Sequence, residues 1–377
     1  MTRVGTGSGR IIHDVAGVAD DGGAAVLWSD GGGLHVRRLE AEGAPRADAV
    51  RLGAACPGGV AAAPGRSGPI LGCLRPGDGD RGRPGRVAVA RLAGDELAPV
   101  GHAGPVGEAS RGIALTVDGR RAGRVGWQHA EPFTAEAWMA GFDTEAGRDE
   151  PRRLSAEGVS ASAPTFAQRD GPPIVAWSEA WSAPDGAVTG NLHVSGGQGP
   201  SVAALPLAYL DSKPAITADD RGWLTAFLDR RGDHGLRFFV ARLGPDLRAV
   251  AGSLESPGTA HAYSHRPGLL PCGEHLFAVG TRGMNRERVA VYIARLDPTD
   301  LEATGRQHLI YRRWVAFAEV DVACIGGHPL LVVAERRRRD TPRPAVRALR
   351  IRCGPGLTHE RTPALSRGEP RDIEDGL

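Results

Sequence analysis

An all-β ring, a seven-bladed β-propeller with four antiparallel strands per blade, is the fold this sequence predicts, and three observations predict it. Short apolar runs such as Ala24–Trp28 and Pro173–Trp177 recur along the whole chain, bounded by turn residues. Glycine (54) and proline (28) supply more than a fifth of the 377 residues, which favours many turns over long helices. The runs also share an internal period, the mark of a repeat architecture.

The period is set by seven anchors, Trp28, Cys73, Trp127, Trp177, Phe227, Val279 and Val333, at intervals of 45, 54, 50, 50, 52 and 54 residues. Each anchor closes an apolar run. A polar residue follows two positions later in every unit: Asp30, Arg75, His129, Glu179, Asp229, Thr281 and Glu335. Upstream of each anchor another short apolar strand begins, as at Pro164, Pro214, Pro267 and Asp321. Turns such as Asp20–Gly23, Gln168–Gly171, Asp219–Gly222 and Gly326–Gly327 join the two, and aspartate and glycine suit the positive φ of tight hairpins. A third strand follows, with Arg-Leu endings at Arg38-Leu39, Arg91-Leu92, Arg242-Leu243 and Arg295-Leu296. A poorer fourth strand follows, as at Ala249–Leu254.

Four strands per unit of this length is a propeller blade. The expected blades are residues 10–52, 53–105, 106–157, 158–208, 209–258, 259–312 and 313–366, with 367–377 as a tail and 1–377 as one domain. Two stacked sheets would not yield seven similar units, and a solenoid would repeat every 20 to 30 residues or so. Either Arg10–His13 or His359–Leu365 could close the ring on the last blade.

Charge narrows the partners. A formal net charge of +2 argues against a dedicated nucleic-acid binder, and no stretch is long and apolar enough to span a bilayer. Nearly all basic residues are arginine, Lys213 being the only lysine. Without an apolar run at the N-terminus the chain reads as cytoplasmic, or as secreted if a leader has been removed. The five cysteines, odd in number and without C-x-x-C spacing, read as isolated buried thiols; no metal site or cofactor is indicated.

Loops that follow the second strands, and those that lead into the innermost strands, meet around the channel of a propeller. The candidate ligand-binding residues there are Arg230, Arg282, Arg286 and Arg336 in a basic sector on blades five to seven, His129, Glu179 and Trp181 in an aromatic and acidic sector facing it, and Asp229, Asp321 and Arg313. Guanidinium groups suit carboxylate, phosphate or sulfate, and aromatics suit an apolar or sugar-like body. Near the axis, His265, Glu319, Asp211 and Tyr263 are the candidate acid–base residues; Asp14, Arg111 and Lys213 also fall there.

The cadence from Pro164 to Glu179, with its central glycine and Ala-Trp-x-acid ending, resembles seven-bladed propellers of the sialidase-like and lectin-like kinds. That resemblance implies glycan binding or cleavage, and in some similar propellers lyase or tailoring chemistry. The sialidase Asp-box is missing; Ser29-Asp30-Gly31-Gly32 breaks its spacing. Arg111, Arg266, Arg313, Tyr263 and Glu319 supply the residue types of a sialidase site without its pattern, so that activity is not carried over. The expectation is a small-molecule or glycan-like ligand in a mixed-charge pocket at the channel mouth. Catalysis at the same mouth ranks second, and a protein-interaction scaffold presenting Trp181, Phe133 and Trp314 ranks third.

Overall fold

The computed structural model describes residues 2–6, 12–77, 85–118, 122–131, 134–143, 147–148, 150–169, 171–182, 188–196, 200–207, 213–230, 236–254, 267–285, 288–313, 315–337, 345–353 and 357–359. For 2–6, 147–148, 282–285, 288–290, 292, 305–313, 315–318, 335–337, 353 and 357–359 the backbone alone is described. Every element among them is a strand, and no helix there could cross a membrane.

The strands form seven antiparallel sheets arranged as a propeller. Blade 1 consists of Ile12–Asp20, Gly23–Asp30, Gly33–Leu39 and Val50–Gly53. Blade 2 consists of Gly59–Ala63, Ile70–Arg75, Arg86–Ala93 and Glu96–Ala103. Blade 3 has Ile113–Val117, Ala122–Glu131 and Thr134–Asp143, with an outer strand in two pieces, Gly147–Arg148 and Arg152–Arg153. In blade 4 the innermost strand is split into Ser160–Ala161 and Thr165–Ala167, and Ile174–Ser182, Val188–Gly196 and Val202–Leu207 follow. Blade 5 has Ala215–Asp219, Gly222–Arg230 and Leu236–Leu243, and a single bridge from Leu243 to Ala249 stands where the fourth strand was expected. Blade 6 consists of Gly268–Cys272, His275–Asn285, Arg288–Leu296 and Ala303–Arg313.

Blade 7 closes the ring. Its Val315–Ile325, His328–Arg337 and Ala345–Cys353 take their outer strand from the other end of the chain, Thr2–Thr6, and Leu357–His359 pairs with the far end of Ala345–Cys353. Neither closing segment expected from sequence fills this role as written. Ile12 and His13 open the innermost strand of blade 1 instead, while His359 takes part only as the last residue of the short pairing. The innermost strand of blade 7 also starts at Val315, so Asp321 lies within it.

Hairpin chemistry holds as expected. Asp21 (φ 34°) with Gly22 (φ 75°), and Gly326 (φ 56°) with Gly327 (φ 76°), place two successive residues in the left-handed region that matches strand twist.

Alternate residues of a strand point to opposite sheet faces, and each face here meets a neighbouring blade. The core is therefore seven layers, one per seam. Trp28 and Val26 meet Leu330 and Val332 between blades 1 and 7; Trp177 and Val175 meet Met139 between blades 4 and 3; Phe227 meets Val194 between blades 5 and 4. Strands buried on both faces read as continuous apolar runs, which is why the anchors were visible. All seven lie on second strands and all are buried. In four blades the residue directly across on the third strand is an aromatic ring or imidazole: Trp28 with His35, Trp127 with Trp138, Trp177 with His193 and Phe227 with Phe239.

The Arg-Leu endings have a use in the seams. Arg38 donates to the Asp20 carboxylate of its own hairpin (2.8 Å), then to Asp95 (2.9 Å) and the Gly94 carbonyl (2.6 Å) in blade 2. Arg242 repeats this. It grips both oxygens of Asp219 at 2.8 Å and donates to the Pro298 carbonyl of blade 6 at 2.7 Å. The planar guanidinium can serve both partners at once.

One expectation is corrected. Four of the five cysteines are paired, Cys56 with Cys73 and Cys272 with Cys324. The first ties the loop entering blade 2 to its anchor; the second joins the innermost strands of blades 6 and 7. Residues 17 and 52 positions apart meet because the repeat folds back, which no local spacing rule reveals.

Candidate functional site at the channel mouth

The innermost strands follow one another round the axis, blade 1 touching blade 2 and so on to blade 7, which touches blade 1. They enclose a cavity of about 250 Å³ lined from all seven blades, by Val15, Val60, Ile113, Phe166, Ile216, Leu269 and Val320 among others. The side chains that line it are largely apolar. An innermost strand has one unpaired edge, and its backbone groups need partners wherever water is excluded.

Charged side chains supply some of those partners. Asp14, fully buried beside a bulge, accepts the N–H of Val15 through Oδ1 and that of Val60 in blade 2 through Oδ2, both at 2.8 Å. Gly59 approaches closely there with φ at 138°, and a Cβ on it would lie 3.0 Å from that same Oδ2. Asp321 performs the equivalent task between blades 7 and 1, its Oδ2 accepting the Gly17 N–H at 2.8 Å. Lys213 stands just before the innermost strand of blade 5 and reaches past blade 4 to donate to the Ile113 carbonyl of blade 3 at 2.6 Å. The split innermost strand of blade 4, interrupted at Pro164, leaves room for that span. Glu319, half-buried, pairs with Ala334 as Asp14 pairs with Ser29, and counting back from Ala215 puts Lys213 on the same level. Of these groups Lys213 and Asp321 line the cavity, while Asp14 is fully buried between blades 1 and 2.

The ends of the second strands are more internally engaged than their polar character suggested. Glu179 is buried; its Oε1 accepts the Trp177 indole N–H (2.8 Å) and the Ala156 N–H (3.1 Å), and its Oε2 lies 3.4 Å from His193 Nε2. His193 stacks on Trp177 with centroids 5.5 Å apart. Burial holds this imidazole below its ordinary pKa, against the opposing charge of Glu179. Blade 1 repeats the arrangement with a shorter acid: His35 stacks on Trp28 at 5.2 Å and meets Asp30 at 3.2 Å, while the Trp28 indole N–H has no partner. Asp229 is buried and accepts the Arg230 N–H at 2.9 Å.

The other proposed binding residues divide as follows. His129 is half-buried, 3.9 Å from Glu131, edge-on to Trp138, and its Nδ1 is buried without a partner. Trp181 is 38% exposed and Arg230 is exposed. Arg282 and Arg336 lie on the second strands of blades 6 and 7, and Arg313 ends the outer strand of blade 6; only their backbones are described. Arg286 and, of the acid–base candidates, His265, Asp211 and Tyr263 lie outside the described residues, as do Phe133 and Trp314. Of the proposed axis residues Asp321 lines the cavity, and Glu319 stands next to Val320, which also lines it. The sequence reading put Asp14 and Lys213 near the axis without counting them as binding residues, and missed His35 and His193. The signal for the two histidines was their place directly across from an anchor tryptophan.

No protein-family model and no curated protein matches the chain. Solved structures do. An exo-1,5-alpha-L-arabinanase from a bovine ruminal metagenomic library is 10% identical, covering 66% of this chain and 96% of its own, with a TM-score of 0.38. A GH43_1 enzyme from Xanthomonas citri complexed with xylotriose is 15% identical over 67% of this chain and 90% of its own, with a TM-score of 0.41. A GH43 beta-xylosidase/alpha-arabinofuranosidase from a compost microbial metagenome is 11% identical over 96% and 97%, with a TM-score of 0.38. At these scores the likeness carries no argument about activity.

Proposed function

We propose that this propeller binds a small polar ligand, anionic or glycan-like, at the mouth of its central channel. The observation that carries this reading is a cavity lined by every blade, in which Lys213 and Asp321 stand among largely apolar side chains. A few placed polar groups among apolar side chains is the usual composition of a ligand site. In this reading Lys213 meets a carboxylate or hydroxyl of the ligand, Asp321 takes a hydroxyl, and Trp181 offers a stacking face at the rim. The sialidase-like and lectin-like cadence of the sequence is the reason to begin with sugars.

The test is calorimetric titration of neutral and uronic sugars into the wild type and Lys213→Met. At least one sugar is expected to bind saturably, and the variant to bind it at least tenfold more weakly. A panel that leaves the wild type silent, or affinity untouched in the variant, overturns the proposal.

Catalysis at the same opening is the second reading, favoured by Asp321 in the cavity lining and Glu319 two residues before it, since two carboxyl groups can divide acid and base roles. Glu319 would be its acid–base residue. New reducing ends from an oligosaccharide, abolished by Glu319→Gln with binding retained, would support it. Retained turnover in that variant would remove Glu319 from the reaction. As for location, two disulfides are the habit of oxidising compartments, so we favour an extracytoplasmic site of action over the cytoplasmic one.

A further inference from the structure

The seam arginines of blades 1 and 5 recur at the same place in blade 2, as Arg91 opposite Ile70, and in blade 7, as Arg350, where the acid is missing. Arg38 lies opposite Ala25 and Arg242 opposite Leu224, in each case three residues before the anchor. Arg350 occupies the same place in blade 7, opposite Leu330, three residues before Val333. It also abuts the next blade as the others do, for a Cβ on Gly43 in the blade 1 turn would lie 3.7 Å from the Arg350 Cβ. The hairpin residue eight before the anchor differs. It is Asp20 in blade 1 and Asp219 in blade 5, but Ile325 in blade 7.

Without that carboxylate, Arg350 keeps a buried Nε that has no acceptor among the described residues. His328, at the end of the same hairpin, has a buried Nδ1 without a partner there. Its other nitrogen serves the Ile351 backbone, so Nδ1 carries a proton only when the ring is charged. Arg352 carries a further positive charge beside them. Burial first, then the charges of Arg350 and Arg352, hold the His328 imidazole below its ordinary pKa, although a hydrogen bond with the Ile351 backbone favours the charged form. A buried donor without an acceptor is costly, the more so on a charged group. Two arginines crowded together raise that cost; a bound anion offsets it and draws a proton onto His328 Nδ1, which then donates as well.

We propose that the seam between blades 7 and 1 holds a phosphate or sulfate group, bound by Arg350 and His328 with Arg352 alongside, in the place that Asp20 and Asp219 fill in their own blades. A tetrahedral oxyanion suits these donors because it presents acceptor oxygens in several directions, whereas a guanidinium fork and an imidazole approach from different sides. The site is on the hairpin side of the ring, away from the channel mouth, so it stands or falls independently of the ligand proposed there.

The experiment is calorimetric titration of the full chain with inorganic phosphate and, separately, glycerol 3-phosphate, at constant ionic strength held with chloride. Wild type and the exposed-arginine control Arg248→Met are expected to bind one equivalent saturably. Arg350→Met is expected to weaken binding at least tenfold, and His328→Asn severalfold. Tighter binding of the ester would assign a phosphorylated molecule; equal binding would assign the free anion. Should Arg350→Met fail to fold, Arg350→Lys keeps the charge but loses the Nε donor, and is expected to weaken binding too. No saturable binding by the wild type, or undiminished binding in both Arg350 variants, overturns the proposal.

Discussion

Glu179 offers the sharpest separation between a residue that faces a ligand and one that holds a blade together. Replacing it with leucine leaves the Trp177 indole N–H and the Ala156 N–H without acceptors inside the seam. At about 1–3 kcal/mol for each orphaned donor, less a small relief from no longer burying a charge, the expected loss is about 2–5 kcal/mol. An unfolding entropy of about 2.1 cal/mol/K per residue gives about 0.8 kcal/mol/K for 377 residues, so the thermal midpoint should fall by about 3–6 °C. Glu179→Gln keeps an acceptor oxygen for both donors and should lose less than about 1 kcal/mol. Urea unfolding followed by tryptophan fluorescence measures both, and Trp177 is itself a reporter. Should Glu179→Leu unfold with the wild type, or the two variants fall together, the reasoning is refuted. A variant that lost ligand without losing stability would return Glu179 to the binding set.

Further outcomes follow from the same structure. Burial works against the charge on Asp219, but the Arg242 fork and the Arg221 N–H outweigh it and hold this carboxyl below the usual range. Its contribution is present above the unfolded carboxyl pKa and is lost as pH falls through the lower folded value. Arg242→Met should therefore cost about 0.5–1 kcal/mol near neutrality, as expected for a pair at the solvent-screened rim, and less once the pH has fallen below the folded pKa of Asp219, where the Pro298 hydrogen bond remains to be lost, in urea unfolding across pH. Thiol titration of the denatured, unreduced protein should find one free cysteine of five, Cys353, and Cys324→Ser should cost about 4 kcal/mol in urea unfolding for the 52-residue span it releases. Deleting Thr2–Thr6 strips the outer strand from blade 7 and should lower the thermal midpoint, with hydrogen exchange of Ala345–Ala348 rising first.

The blades were legible because a second strand buried on both faces must be apolar throughout, and Trp28, Trp127, Trp177 and Phe227 are too bulky to stand anywhere else. The hairpins were legible for an equally local reason, the need of Asp21-Gly22 and Gly326-Gly327 for positive φ. What escaped reading depends on groups brought together across strands or blades. Asp30 and Glu179 resemble solvated strand ends in the sequence, yet each meets a histidine from the third strand. Cys56 and Cys73 resemble unrelated thiols until the loop entering blade 2 folds onto its anchor. The Arg-Leu endings were noticed as turn chemistry, whereas Arg38 and Arg242 act between blades. Lys213 is a plain polar residue until three blades are assembled around it.

A clasp made from both ends of a chain has a consequence for synthesis. Thr2 pairs with Ala348, so the Thr2–Thr6 strand waits for a segment made far later in synthesis before it has a partner. Six seams can form as the blades emerge in turn, while the seventh has to wait for blade 7. Until then the nascent ring is an open arc with two raw edges, and a neighbouring copy at the same stage could lend its leading segment in place of the proper one. High local concentration during expression should accordingly favour interlinked dimers, and slow dilution the closed monomer.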